Sequence, residues 1–515
     1  MGTHVPMKRL GLIPVLGSCL LAIAGASGAT AAPAAQTRPN IVVIETDDQT
    51  QASLAYMPKT RALLGAQGAT FDNSFVSYSL CCPSRSTFLT GQYAHNHGVL
   101  GNSPPVGGWA VFRAKHATNN LAVWLQKAGY YTALVGKFLN GYGGKQAGND
   151  VSVPPGWSEW HAGVDLAYLG GTMSDDGKLD RLPSTEAGYQ TDVWSRMAQD
   201  LIARRAPSTQ PFFLWLTPHV PHTGGPRDPD DPQPVAGATG RRAKQNASGG
   251  TTRPPARYRN RFANVPLPTP PSFNEADVSD KPMGVRNLPL LTPAQIAGLR
   301  EAYQQALEAD LGVDDMVAAV VARLKAAGEL DNTLIVFTSD NGFMYGEHRI
   351  PKGKVVLYEP SIRVPLVVRG PGVPKGVHLE QMAANVDLAP TIVDAAGAKP
   401  GLTMDGRSLY TLFRNSKSSW RSALVIERGP AGNGRTRRNP NRPAAAGRSQ
   451  VFVAVRTPQY LYAQYANGEQ ELYDLARDPY ELENKASDPA YAKVRGTLAT
   501  RLTALKTCAG DACWR

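Results

Sequence analysis

The sequence predicts an α/β protein: a large, mostly parallel sheet with helices on both faces, then a smaller antiparallel sheet with one helix. Three observations carry that expectation. The chain has 515 residues, enough for one large domain plus a smaller one. Short β-branched apolar runs, typical of strands buried on both faces, alternate with segments of helical spacing. After about residue 415 the pattern changes to closely spaced strands and a terminal helix.

Ile41 to Ile44 follows Pro39-Asn40 as a buried strand and runs straight into Asp47-Asp48. Leu121 to Lys127 is expected as a helix, and Tyr131 to Val135 and Phe212 to Leu216 as strands. Two helices are expected at 293–309 and 311–327. Thr292 can cap the first, Pro293 suits its first turn, and Ile296, Leu299, Tyr303 and Leu307 keep helical spacing. Gly328 stops the second. Leu334 to Phe337 repeats the first design, leading into Ser339-Asp340-Asn341-Gly342. In sheets of this class polar sites form beyond the carboxyl ends of the strands, where both acidic pairs fall. In the tail, Ala423–Ile426, Val451–Val455 and Tyr460–Tyr465 read as strands and 489–506 as a helix.

Composition narrows the function classes. At 42% hydrophobic and 19% charged, the chain is not a wholly disordered one. Its 54 Lys and Arg against 42 Asp and Glu favour acidic partners such as polyanionic glycans, nucleic acid or anionic lipid, without choosing among them. No nucleic-acid-binding motif accompanies the charge, so no nucleic-acid partner is expected. From Pro226 to Leu290 the chain carries 12 of its 41 prolines and a basic patch of Arg241, Arg242, Lys244, Arg253, Arg257, Arg259 and Arg261. Together with a second basic stretch from Arg435 to Arg448, this is expected as surface excursion, solvated or in touch with an anionic polymer.

Lys8 and Arg9, an apolar run from Leu10 to about Ala26 and the small residues Ala29-Thr30-Ala31 look like an export signal over residues 1–31. A secreted or extracytoplasmic protein without an integral membrane span is expected. Lipid anchoring through Cys19, in Leu16-Gly17-Ser18-Cys19, is the alternative. Cys508 and Cys513 are close enough for a disulfide in an exported chain. Adjacent Cys81 and Cys82 are not a natural pair, because a disulfide between neighbours is strained.

Cys81-Cys82-Pro83-Ser84-Arg85, with Leu89-Thr90-Gly91 following, resembles the signature of the sulfatase family, whose fold is alkaline-phosphatase-like. The resemblance implies that a separate formylglycine-generating enzyme oxidises Cys81 to formylglycine, with Cys82 as the variable position. A hydrated aldehyde offers two hydroxyls on one carbon: one attacks sulfur and the other later expels sulfate, whereas serine would be left as a stable sulfate ester. Asp47, Asp48, Asp340 and Asn341 match the family's metal positions, with Cys81 as a further ligand. Their hard oxygens suit Ca²⁺, or Mg²⁺. Arg85, Lys137 and Lys354 match the cations that compensate the sulfate charge.

His222, in Thr217-Pro218-His219-Val220-Pro221-His222, is the preferred acid for the departing alcohol. His219, His97 and His348 are candidate substrate contacts. Support of the helix carrying Cys81 is the other reading for His97, and a purely structural place the other reading for His219 and His348. Many sulfatases carry a histidine where this chain has Leu139. Lys137-Phe138-Leu139-Asn140, the Cys-Cys-Pro-Ser-Arg form and Tyr93-Ala94-His95-Asn96-His97 resemble instead the branch acting on N-acetylglucosamine-6-sulfate and related glycan 6-O-sulfates. The expectation is an exported sulfatase of sulfated carbohydrates, with catalysis in residues 38–415 and a subdomain in 416–515. The rivals are a phosphomonoester or phosphonate-ester hydrolase of the same fold and a glycan-binding pseudoenzyme.

Overall fold

Alternate residues of the first strand, Asn40–Thr46 (β1), feed two separate cores: Ile41 and Val43 pack on one side of the sheet, Val42 and Ile44 on the other. Three further strands matter for the site: Tyr131–Lys137 (β2), Phe212–Thr217 (β3) and Thr333–Ser339 (β4). The computed structural model describes residues 1–2, 38–206, 209–224, 228, 251–430 and 451–514. The export signal, Cys19, the 435–448 stretch and Arg241, Arg242 and Lys244 lie outside the described residues.

The main sheet has ten strands, in the order Val377–Leu379, Ala69–Phe71, Leu366–Arg369, β4, β1, β3, β2, Glu159–Asp165, Thr172–Asp175, Lys178–Arg181. From β4 to Glu159–Asp165 the five central strands are parallel, with Thr46 opposite Ser339 and Gly136 opposite Thr217. Their carboxyl ends therefore share one edge. Gly136, at φ +117°, is required there, because a Cβ would meet the Thr217 carbonyl at 2.2 Å.

One face is covered by Cys81–Thr90 (α1), Leu121–Lys127 and Leu388–Ala396, the other by Gln190–Arg205 and the 34-residue helix Pro293–Ala326 (α2). α2 replaces the two expected helices. Its start is as expected, a capping box between Thr292 and Gln295. Residues 310–312 continue the helix because Asp310 is buried within it and Gly312 packs on Pro255, so neither ends it.

The tail forms a four-stranded antiparallel sheet of Leu424–Arg428 (β5), Phe452–Arg456 (β6), Tyr460–Tyr465 (β7) and Gln470–Asp474 (β8), with the helix Ala492–Leu505 (α3). β8 was not anticipated from sequence. The sheet shares a core with Tyr358, Ile362 and Phe75 of the main body. Cys508 and Cys513 are disulfide-bonded, while Cys81 and Cys82 are free and buried. In the proline-rich excursion, Arg253 and Arg259 pair with Asp228 and Glu186, and Arg257 with Asp192 and Asp315. Their charge is met within the protein. No helix among the described residues is long and apolar enough to cross a membrane.

Candidate active site

The carboxyl-end edge gathers what the motifs supply from distant parts of the chain. β1 delivers Asp47 and Asp48, β2 ends on Lys137, β3 leads into His219 and His222, and β4 leads into Asp340 and Asn341. Asp48 holds φ +71°, an uncommon backbone state for a non-glycine residue and one that clusters at functional sites. Cys81 is the first residue of α1, whose N-terminal end favours negative charge. α1 closes at Gly91, φ +67°. All ten α1 residues are buried, and Ser86 and Thr90 return their hydroxyls to the carbonyls of Cys82 and Ser86.

Cys81 Sγ lies 3.6 Å from Asp47 Oδ1 and accepts from Lys354 Nζ at 2.9 Å. The same ammonium contacts Asp48 Oδ1, which also accepts from Asn341 Nδ2 at 2.6 Å. Lys137 Nζ contacts Asp47 Oδ2, to which His219 Nδ1 donates at 2.8 Å. The His222 ring stacks on His219 with centroids 4.5 Å apart and brings Nε2 to 3.8 Å from Asp48 Oδ2. Arg85 is fully buried: Nε donates to Asp340 Oδ2 at 2.8 Å and Nη1 to the Lys137 carbonyl at 3.1 Å, while Nη2 has no hydrogen-bond partner among the described residues. Asp48 N donates to Asp340 Oδ1 at 3.3 Å, joining the two acidic pairs.

Burial opposes charge throughout this cluster. It pushes the Cys81 thiol up to about 12 and the Asp48 and Asp340 carboxyls above their usual range. Asp47 is also penalised by burial, but Lys137, His222 and His219 together hold it well below the carboxylate range. Burial lowers His219 to about 4 and His222 to about 3, so both rings are neutral. His222 Nδ1 donates to the Thr223 carbonyl at 2.6 Å, which fixes the tautomer and leaves Nε2 as an acceptor.

The residues fit a divalent cation. Asp47, Asp48, Cys81 and His222 can each place one ligand atom so that all lie within 4.8 Å of one another. Asn341 Oδ1 is buried without a hydrogen-bond partner among the described residues, an acceptor suited to a cation. His222 was not expected in this group; the others were. Carboxylate and amide oxygens are the donors Ca²⁺ and Mg²⁺ prefer.

Two expected substrate contacts are corrected. His97 is fully buried; its Nε2 meets Thr87 Oγ1 at 3.1 Å and its Nδ1 accepts from Val99 N at 3.0 Å, so it braces α1. His348 is 1% exposed, with Nδ1 on Glu275 at 2.6 Å and its ring against Tyr358. Both side chains are committed to packing. Sequence reasoning missed Glu45 and Tyr168. Glu45, 3.7 Å from Arg85 and hydrogen-bonded by Trp215 at 2.9 Å, is raised to about 7 by burial. Its signal was a lone charge in an apolar strand. Tyr168 donates to the His222 carbonyl at 2.6 Å, a contact no local pattern encodes.

The family description Sulfatase matches residues 39–398. The chain is 33% identical to N-acetylglucosamine-6-sulfatase of Homo sapiens, over 98% of this chain and 89% of that one. It is also 33% identical to an arylsulfatase of Volvox carteri, over 97% of this chain and 78% of that one. A structure solved in complex with its substrate D-glucosamine-2-N,6-O-disulfate superposes with a TM-score of 0.71, covering 90% of this chain and 97% of that one at 24% identity.

Proposed function

This chain belongs to the sulfatase family and is a sulfuric ester hydrolase, and from that premise we propose that it removes 6-O-sulfate from glucosamine units of glycosaminoglycans. The observation that carries the reading is the convergence of Cys81, Asp47, Asp48, Lys137, Lys354 and His222 at one sheet edge. The relative at 33% identity named for N-acetylglucosamine-6-sulfate supports the sugar and position. In this reading a formylglycine-generating enzyme converts Cys81 during biosynthesis, the protein is exported, residues 38–415 carry the chemistry and 416–515 brace it.

Formylglycine hydrate would supply a nucleophile with its own exit route, and a divalent ion held by Asp47, Asp48, Asp340 and Asn341 would supply charge stabilisation at the sulfate. Arg85 Nη2, a buried donor without a partner among the described residues, is left to bind a sulfate oxygen. Lys137 and Lys354 add positive charge on either side of residue 81. His222, with Nε2 3.8 Å from Asp48 Oδ2, faces the site and belongs to the group that can hold the cation. Protonation of the departing alcohol then falls to a lysine, and Lys354, whose ammonium reaches the residue 81 side chain at 2.9 Å, is placed for it.

Kinetics on defined saccharides test the proposal. Sulfate release from N-acetylglucosamine-6-sulfate is expected, without release from 2-O- or 4-O-sulfated sugars. Paired aryl sulfate and aryl phosphate substrates complete the test, and a higher kcat/KM for the phosphate would overturn the sulfate assignment.

A further inference from the structure

The residue after Lys354 is held in a conformation its side chain disfavours. Val355 has φ +70°, a left-handed value that makes a β-branched residue an outlier. Contacts from two directions hold it there. Its N–H donates to Ser79 O and Ser79 Oγ, each at 3.1 Å, two residues ahead of Cys81. Its carbonyl accepts from Arg428 Nη1 at 2.9 Å.

Arg428 ends β5 and is 6% exposed. Burial lowers it to about 10, and among the described residues no carboxylate pairs with it. Burying a guanidinium without a carboxylate is costly, so its place needs a cause beyond stability. The same strand end is fastened to the segment leading to Cys81: Glu427 N donates to Ser77 O at 2.8 Å and Gly429 N to Tyr78 OH at 2.9 Å. β5 thus bridges the two chain segments that bring residues 81 and 354 together.

We infer that Arg428 is a positioning residue for catalysis, which by holding the Val355 carbonyl keeps Val355 left-handed and sets the Lys354 ammonium against residue 81. The inference rests on the sulfatase reading above, in which Lys354 acts at the sulfate ester.

The test is a double-mutant cycle on the full-length, matured enzyme with an aryl sulfate. Arg428→Met keeps the aliphatic stem and removes the donors; kcat is expected to fall about tenfold with KM within about twofold. Val355→Gly takes up a left-handed φ without the steric penalty, so Arg428→Met/Val355→Gly is expected to regain at least about threefold in kcat over Arg428→Met. Arg428→Lys, which keeps a cationic donor, is expected to stay within about threefold of wild type, and where Arg428→Met does not fold, the shorter Arg428→Gln, alone and with Val355→Gly, carries the same cycle. A rise in KM at unchanged kcat in Arg428→Met would make Arg428 a substrate-binding cation and overturn the inference. So would a double variant no faster than Arg428→Met. Wild-type enzyme inert toward every sulfate ester would refute the sulfatase reading and this inference together; an active wild type with a failed cycle refutes the inference alone.

Discussion

The ammonium of Lys354 lies 2.9 Å from the sulfur of Cys81, although 273 residues separate them in the chain. Two elements make that contact. α1 presents Cys81 at its N-terminal end, and the segment carrying Lys354 is held from behind by the small tail sheet. Arg456 Nε donates to Glu359 Oε1 at 2.7 Å, and Glu481 Oε2 accepts from Glu359 N at 3.1 Å. The tail therefore braces the segment that carries Lys354.

Asp340→Ala removes an expected cation ligand and leaves the buried Arg85 Nε without its acceptor. Metal content measured by elemental analysis is expected to fall, together with a loss of about 100-fold or more in kcat/KM. Chelation of the wild type is expected to remove activity, and Ca²⁺ or Mg²⁺ to restore it. An Asp340→Ala variant with full metal occupancy and full activity would remove Asp340 from the ligand set.

Glu471, fully buried in β8, accepts hydroxyls from Tyr358 at 2.8 Å and Tyr473 at 2.6 Å, and from Tyr465. Glu471→Ala leaves three tyrosine hydroxyls without that acceptor and is expected to cost roughly 3 kcal/mol or more in denaturant unfolding. Loss of kcat should accompany it, since Tyr358 lies four residues beyond Lys354. A change below about 1 kcal/mol would show that the hydroxyls find other partners.

His95 fastens the disulfide-closed tail. Its Nε2 donates to the Cys508 carbonyl at 2.9 Å and its Nδ1 contacts Glu427, so both nitrogens act as donors. Burial works against the charged ring, but the hydrogen bond and charge of Glu427, the Cys508 carbonyl and the charge of Asp405 together outweigh it and raise the pKa above the ordinary histidine value. A raised folded pKa means stabilisation fully present below about pH 6.5 and lost as pH rises through the folded value. The Tm difference between wild type and His95→Gln should be largest near about pH 6 and shrink toward about pH 9. A difference that grows with pH would show that the ring is held neutral.

Much of the main sheet and the gathering of polar residues at one edge of it could be read from sequence because parallel strands are buried on both faces and their carboxyl ends carry the polar residues. Ile41–Ile44 running into Asp47-Asp48 and Leu334–Phe337 running into Asp340-Asn341 are patterns of that kind. What depends on partners far away in sequence was not legible. The continuity of α2 through Asp310 depends on tertiary burial, and β8 is polar at its start because Gln470 lies exposed at the sheet's end. The inward turn of His97 toward Thr87 and the reach of Arg428 to Val355 leave no periodic trace.

The most direct measurement is the mass of the peptide containing Cys81, from protein produced together with a formylglycine-generating enzyme and tested for sulfate release in the same preparation. Formylglycine at position 81 in the active fraction, and no turnover by Cys81→Ala, is the predicted result. An unmodified thiol at position 81 in fully active protein would contradict it.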